Sequence, residues 1–84
     1  MMKIKSTSKI NLGLNIKNII KSQNLKKADI IREMQLHGIP MSKQRFYKLE
    51  NNLANITADE ITILATILDC NIADFFKPTE DKIK

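Results

Sequence analysis

Eighty-four residues leave room for one domain around a single core. Hydrophobic residues make up 43% of the chain, which excludes disorder throughout, and a single cysteine, Cys70, excludes an internal disulfide. The net charge of +5 is unevenly held: residues 1–48 carry eleven Lys/Arg against Asp29 and Glu33, while residues 49–84 carry three lysines against seven acids. A basic half joined to an acidic half suits a protein that turns one face to a polyanion. The bland alternative is a coding bias towards Lys, Ile and Asn, but the segregation favours a polyanion more than the total does. The first residues are basic, yet no apolar run follows them as in a signal peptide. No stretch approaches the ~20 apolar residues of a membrane span, so a cytoplasmic setting is expected.

Residues 1–9 show no sustained period and read as a flexible basic arm ahead of a domain over residues 10–78. A first helix is expected from Asn11 or Leu12 to Ser22, because Leu12, Ile16, Ile19 and Ile20 form one apolar stripe. Asn15, Lys17, Asn18 and Lys21 occupy its other sides. Asn24 can end this helix in a left-handed turn, with Leu25 folding back to the core. The second helix, from Lys26 or Lys27 to Gln35, turns Ile30, Ile31 and Met34 inwards, with Ala28 small enough for close contact.

The period then breaks over residues 36–41. Gly38 permits a left-handed backbone, and Pro40 pushes Ile39 away from helical angles. Ser42 can cap a short third helix whose apolar seam is only Phe46 and Leu49. Lys43, Gln44, Tyr47 and Lys48 share its outward side, with Arg45 at the edge. Cations, an amide and a phenol on an exposed helix are the groups that meet phosphates and base edges. A solvated surface helix is the alternative for such a segment taken alone. Helix, break, short exposed helix is the layout of a helix-turn-helix unit.

Residues 51–56 read as a loop. Thr57 to Glu60 is a capping box, with Ile56 and Ile61 as its hydrophobic staple. The fourth helix runs to Leu68, placing Ile61, Leu64, Ala65 and Leu68 on one face and Ile63 and Ile67 towards another. Asn71 can cap a fifth helix, Ile72 to Phe76 or Lys77, which Pro78 ends. One of Phe75 and Phe76 should enter the core. Residues 79–84 form a polar tail, and no strand pattern is visible.

From Leu12 to Phe76 the chain resembles the Cro- and phage-repressor-like helix-turn-helix family, the xenobiotic-response-element type of bacterial regulators. Leu12-Gly13 through Ile16 is similar to that family's opening, and residues 25–30 (Leu-Lys-Lys-Ala-Asp-Ile) to its second helix. Residues 42–51 resemble its recognition helix, most closely at Leu49-Glu50-Asn51. Residues 63–68 and 71–76 are similar to its closing pair. The resemblance implies a compact all-α, five-helix, lambda-repressor-like domain that binds double-stranded operator DNA, usually as a homodimer. By position it implies DNA contacts from Lys27, Lys43, Gln44, Arg45, Tyr47, Lys48, Asn51 and Asn52. Ile63, Ile67 and Phe76 are the suspected dimer surface.

Four features depart from the family pattern. Ile31 stands where a small residue usually lets two helices cross closely, and the turn from Met34 to Ser42 is several residues longer than usual. Ile20 replaces an arginine that pairs with the glutamate in many relatives, so Glu50 needs another partner, such as Lys48 or Arg32, or stays solvated. Asp69 stands where Gly often ends the fourth helix.

The favoured expectation is a sequence-specific regulator, most simply a repressor, with the third helix in the major groove. One alternative is the antitoxin of a toxin–antitoxin pair; another is an interaction module that no longer binds DNA. Neither an enzyme nor a cofactor or metal is expected. His37 has no nearby Cys and reads with Glu33 as a surface group at the end of the second helix, no Gly-rich phosphate loop occurs, and Cys70 reads as a small apolar residue between the last two helices.

Overall fold

The computed structural model describes residues 3–4 and 10–78. Four α-helices follow one another, α1 (Leu12–Ser22), α2 (Lys27–Leu36), α3 (Lys43–Glu50) and α4 (Ala58–Leu68), and a helix over Ile72–Phe76 closes them. The all-α class holds, with the fifth helix wound as a tighter 3₁₀ helix. Two short strands depart from the expectation of helices alone. β1 (Lys3–Ile4) pairs antiparallel with β2 (Ile56–Thr57), Lys3 opposite Thr57 and Ile4 opposite Ile56. Two residues are too few to display an alternating pattern, so the pairing leaves no trace in the sequence. The other residues read as an arm (1–2 and 5–9) and the tail (79–84) lie outside the described residues.

α1, α3 and α4 start where a side chain satisfies a free amide, whereas α2 starts at Lys26 with no side-chain cap. Asn11 Oδ1 accepts from the Leu14 amide at 2.9 Å, and Ser42 Oγ accepts from the Arg45 amide at 3.0 Å. Thr57 Oγ1 accepts from the Glu60 amide while Glu60 Oε1 accepts from the Thr57 amide, the reciprocal pair expected at α4. Asn71 does not cap with its side chain. Instead the Asp74 carboxylate reaches back to accept from the Asn71 amide at 3.2 Å.

The core collects one stripe from each helix: Leu12, Ile16 and Ile20; Ile30 and Met34; Phe46 and Leu49; Ile61, Leu64 and Leu68. Phe75 is the phenylalanine that enters it, and Phe76 stays half-buried. The long turn between α2 and α3 is packed: Met41 is buried, and Gln35 Nε2 donates to the Met41 carbonyl at 2.7 Å.

Three placements differ from the sequence reading. Leu25 stays exposed, because its amide completes the turn at the end of α1 while its side chain points outwards. Ala28 is exposed too, on the rim of a cleft between α2 and α3 rather than at a helix contact. Asn15 is buried: its Nδ2 donates to the carbonyls of Phe75 (2.7 Å) and Lys77 (2.9 Å), tying α1 to the closing helix. Its position, three after Leu12 and four before Ile19, is a stripe position, so burial was open to it once polar partners were supplied.

Candidate nucleic-acid interface

α3 is held by little. Phe46 and Leu49 are its buried apolar anchors, leaving the opposite side free. Gly13 lets the C-terminal end of α3 come very close to α1, since a Cβ there would stand 2.2 Å from the Glu50 carbonyl oxygen. Lys43, Gln44, Tyr47 and Lys48 line one shallow groove on the outside, all exposed, Tyr47 to 61%. Their side chains form no hydrogen bond or ion pair with other described residues. Lys43 and Tyr47 stand one turn apart, as do Gln44 and Lys48, so the four make two rows along the helix. Two cations, one amide and one phenol are thereby presented together, unpaired and wet.

The other residues expected at this surface have partners inside the protein. Arg45 turns away: its Nε donates to Glu60 Oε2 at 2.6 Å, and its Nη2 to Glu60 Oε1 at 2.8 Å and to the Asn55 carbonyl at 3.1 Å. Arg45 is expected from the sequence among the groups offered to DNA; in the structure its fork is engaged with α4, unlike the side chains of Lys43, Gln44, Tyr47 and Lys48. It lies four residues before Leu49, close enough to the apolar seam to reach α4. The hydrogen bond to Glu60 holds the guanidinium above its ordinary pKa, against burial, which acts the other way. For Glu60, burial is the largest single influence and pushes its carboxyl up. Hydrogen bonds from Arg45 and Thr57, with the charge of Arg45, together outweigh it and hold the group below the ordinary carboxylate range.

Lys27 pairs with Glu50, Nζ to Oε1 at 2.9 Å. Glu50 is therefore neither solvated nor paired with Lys48 or Arg32; it is buried, and its Oε2 has no hydrogen-bond partner among the described residues. Arg32 instead pairs with Asp29 on its own helix. Lys27 remains half in solvent beside Lys43 on the cleft that Ile31 and Phe46 also line, so it keeps donors for a second partner.

The two asparagines after α3 are also engaged. Asn52 Oδ1 accepts from the Gly13 amide at 3.0 Å, and its Nδ2 donates to Asn11 Oδ1 at 2.6 Å. Asn51 accepts from Lys17 Nζ at 3.3 Å and donates to the Tyr47 carbonyl at 2.8 Å. Both stay exposed, but Asn52 is first of all a clasp between the end of α3 and the start of α1.

A family model for the Cro/C1-type helix-turn-helix DNA-binding domain matches residues 15–81, most of the chain. The protein belongs to that family. As a Cro/C1-type domain it binds DNA, with α2 and α3 as its helix-turn-helix. No curated protein and no solved structure matches it.

Elsewhere the Cro/C1-type domain offers less. Ile63, Ile67 and Phe76 are half-buried and packed against the core, while among the described residues the most exposed large apolar one is Leu36, at 73%. Cys70 is half-buried, and burial, helped by Asp74 and Asp69, pushes its thiol up, away from the reactive thiolate. His37 Nδ1 lies 2.9 Å from the Glu33 carbonyl at the end of α2. No group of three metal-ligating residues occurs among the described residues. None of their helices is long and apolar enough to cross a membrane.

Proposed function

We propose that this domain is a sequence-specific transcriptional regulator that lays α3 in the major groove and acts as a repressor in the cytoplasm. The observation that carries the reading is the unpaired outward pair of rows made by Lys43, Gln44, Tyr47 and Lys48 on a helix whose opposite side is anchored in the core by Phe46 and Leu49. Gln44 pairs bidentately with adenine, Lys43 donates to guanine, and Tyr47 meets a phosphate or a thymine methyl. Lys27 stands beside the phosphate backbone at the start of α2, where free amides also favour an anion. Asn51 and Asn52 flank the same backbone from the following turn. Repression is the simpler outcome because it requires only that the site be occupied, whereas activation requires a further contact with the transcription machinery.

Two copies bind a two-fold site, since half-sites one turn apart need two reading helices. The partly exposed edges of Ile63, Ile67 and Phe76 are the surface proposed between them.

Selection against a random duplex library at moderate salt is the test. A two-fold motif with half-sites about 10 bp apart is expected. Gln44→Ala and Lys43→Ala should each lose about 1–3 kcal/mol of discrimination on the selected site and little on random duplex. Equal losses on both duplexes would remove the assignment of α3 as the reading helix.

A further inference from the structure

Two apolar anchors three residues apart define a line, and a helix resting on a line can roll about it. α3 rests on Phe46 and Leu49 in this way. Bidentate contacts to bases tolerate only about 0.5 Å and 10–20° of error, so a reading helix needs ties away from that line. Near the start of α3, the planar fork of Arg45 grips both oxygens of Glu60 and the Asn55 carbonyl. Glu60 is itself fixed: its side chain is buried, and the same Oε1 accepts from the Thr57 amide at 2.8 Å. The tie therefore runs from the first turn of α3 to the first turn of α4.

We infer that Arg45 is a positioning residue: it sets the roll of α3 about its Phe46–Leu49 seam, and so decides which base edges Lys43 and Gln44 reach, without touching DNA itself. The inference rests on the reading of α3 as the DNA-reading helix. A surface cation on this helix would add to phosphate binding; a fork turned to α4 cannot. What matters is its planar, two-pronged geometry, which lysine does not reproduce.

The test compares wild-type protein with Arg45→Met, Arg45→Lys and Glu60→Gln on the selected site and on random duplex, across a salt series. Helix content and urea midpoint are followed in parallel. Both Arg45 variants should keep random-duplex affinity within about twofold and keep the salt slope, since no phosphate contact is lost. Both should lose about tenfold in the ratio of selected to random affinity, the order of one failed base contact. Glu60→Gln, which keeps the cap on Thr57, should shift that ratio the same way by less, and it carries the test if Arg45→Met does not fold.

A salt slope lower by about one, with equal weakening on both duplexes, would make Arg45 a phosphate contact and overturn the inference. Unchanged discrimination in folded variants would also overturn it, leaving the tie a matter of stability alone. Should wild-type protein itself discriminate no sequence, the reading of α3 falls first and the inference with it.

Discussion

Glu50 shows how one residue's surroundings can reverse the meaning of another. A carboxylate that deep in the protein is tolerated only with a counter-charge, and Lys27 supplies it on one oxygen alone. Lys27 thus serves the fold before it serves DNA. Because Lys27 is itself half in water, its loss should cost less than for a fully dry pair. We expect Lys27→Met to lower stability by about 1–3 kcal/mol in urea unfolding. The double variant Lys27→Met/Glu50→Leu should recover most of that loss, since an apolar pair leaves no buried charge behind. An unchanged urea midpoint in the single variant would show that the pair contributes nothing. Gly13 is the other residue whose role is set by what faces it. A Cβ at 2.2 Å from the Glu50 carbonyl oxygen and 2.8 Å from that of Leu49 meets backbone, which cannot swing aside. Gly13→Ala should therefore cost about 1–3 kcal/mol, the range for overpacking, although alanine is the better helix former. A stabilised Gly13→Ala protein would show that α1 and α3 part without penalty.

The four α-helices end alike. A residue with positive φ follows each one (Asn24, Gly38, Asn52 and Asp69), and the next amide donates to the carbonyl five residues back. Only one of the four is glycine, so asparagine and aspartate carry a conformation that most residues avoid. The two asparagines look equivalent in sequence but differ in what their side chains do. The side chain of Asn24 is exposed, while that of Asn52 joins Gly13 to Asn11. Asn24→Gly should thus be neutral or stabilising by up to about 0.5–1 kcal/mol through relief of the left-handed strain. Asn52→Gly should destabilise by about 1 kcal/mol despite the same relief, because the contacts to Gly13 and Asn11 disappear. Thermal midpoints that move in the same direction for both would count against the clasp.

Over the whole molecule, the charge segregation of the sequence becomes a division of labour. Lys43 and Lys48 face outwards unpaired, while Lys27 and Arg45 reach acids that hold α3 in place. The Arg45–Glu60 tie also makes stability depend on pH. The Glu60 carboxyl titrates lower in the folded protein than in the unfolded chain, so its contribution is complete above the ordinary glutamate value of about 4.3 and is lost as pH falls through the lowered one. Asp74, held low by the Lys77 ammonium and then by the Asn71 amide, adds in the same direction. Urea midpoints should be level around neutrality and fall at acid pH. Glu60→Gln should flatten that fall, and an unaltered acid limb would mean that the tie does not contribute through charge.

Where the helices lie, how α1, α3 and α4 are capped and which side of α3 faces outwards are legible in the sequence alone. Those features are local: a period of 3.6, a serine or threonine before an apolar run, and a break at Gly38 and Pro40 are complete within a dozen residues. Lys43, Gln44, Tyr47 and Lys48 were legible for that reason. Only the tertiary structure decided which cations are free. Periodicity gives the face of a helix that a residue occupies, but it gives no distance to another helix. Lys27 meets Glu50 and Arg45 meets Glu60 across such distances, and Asn52 reaches Gly13 from 39 residues away. The β1–β2 pair was hidden for a related reason, since two residues of strand are specified by their partner and not by their own pattern.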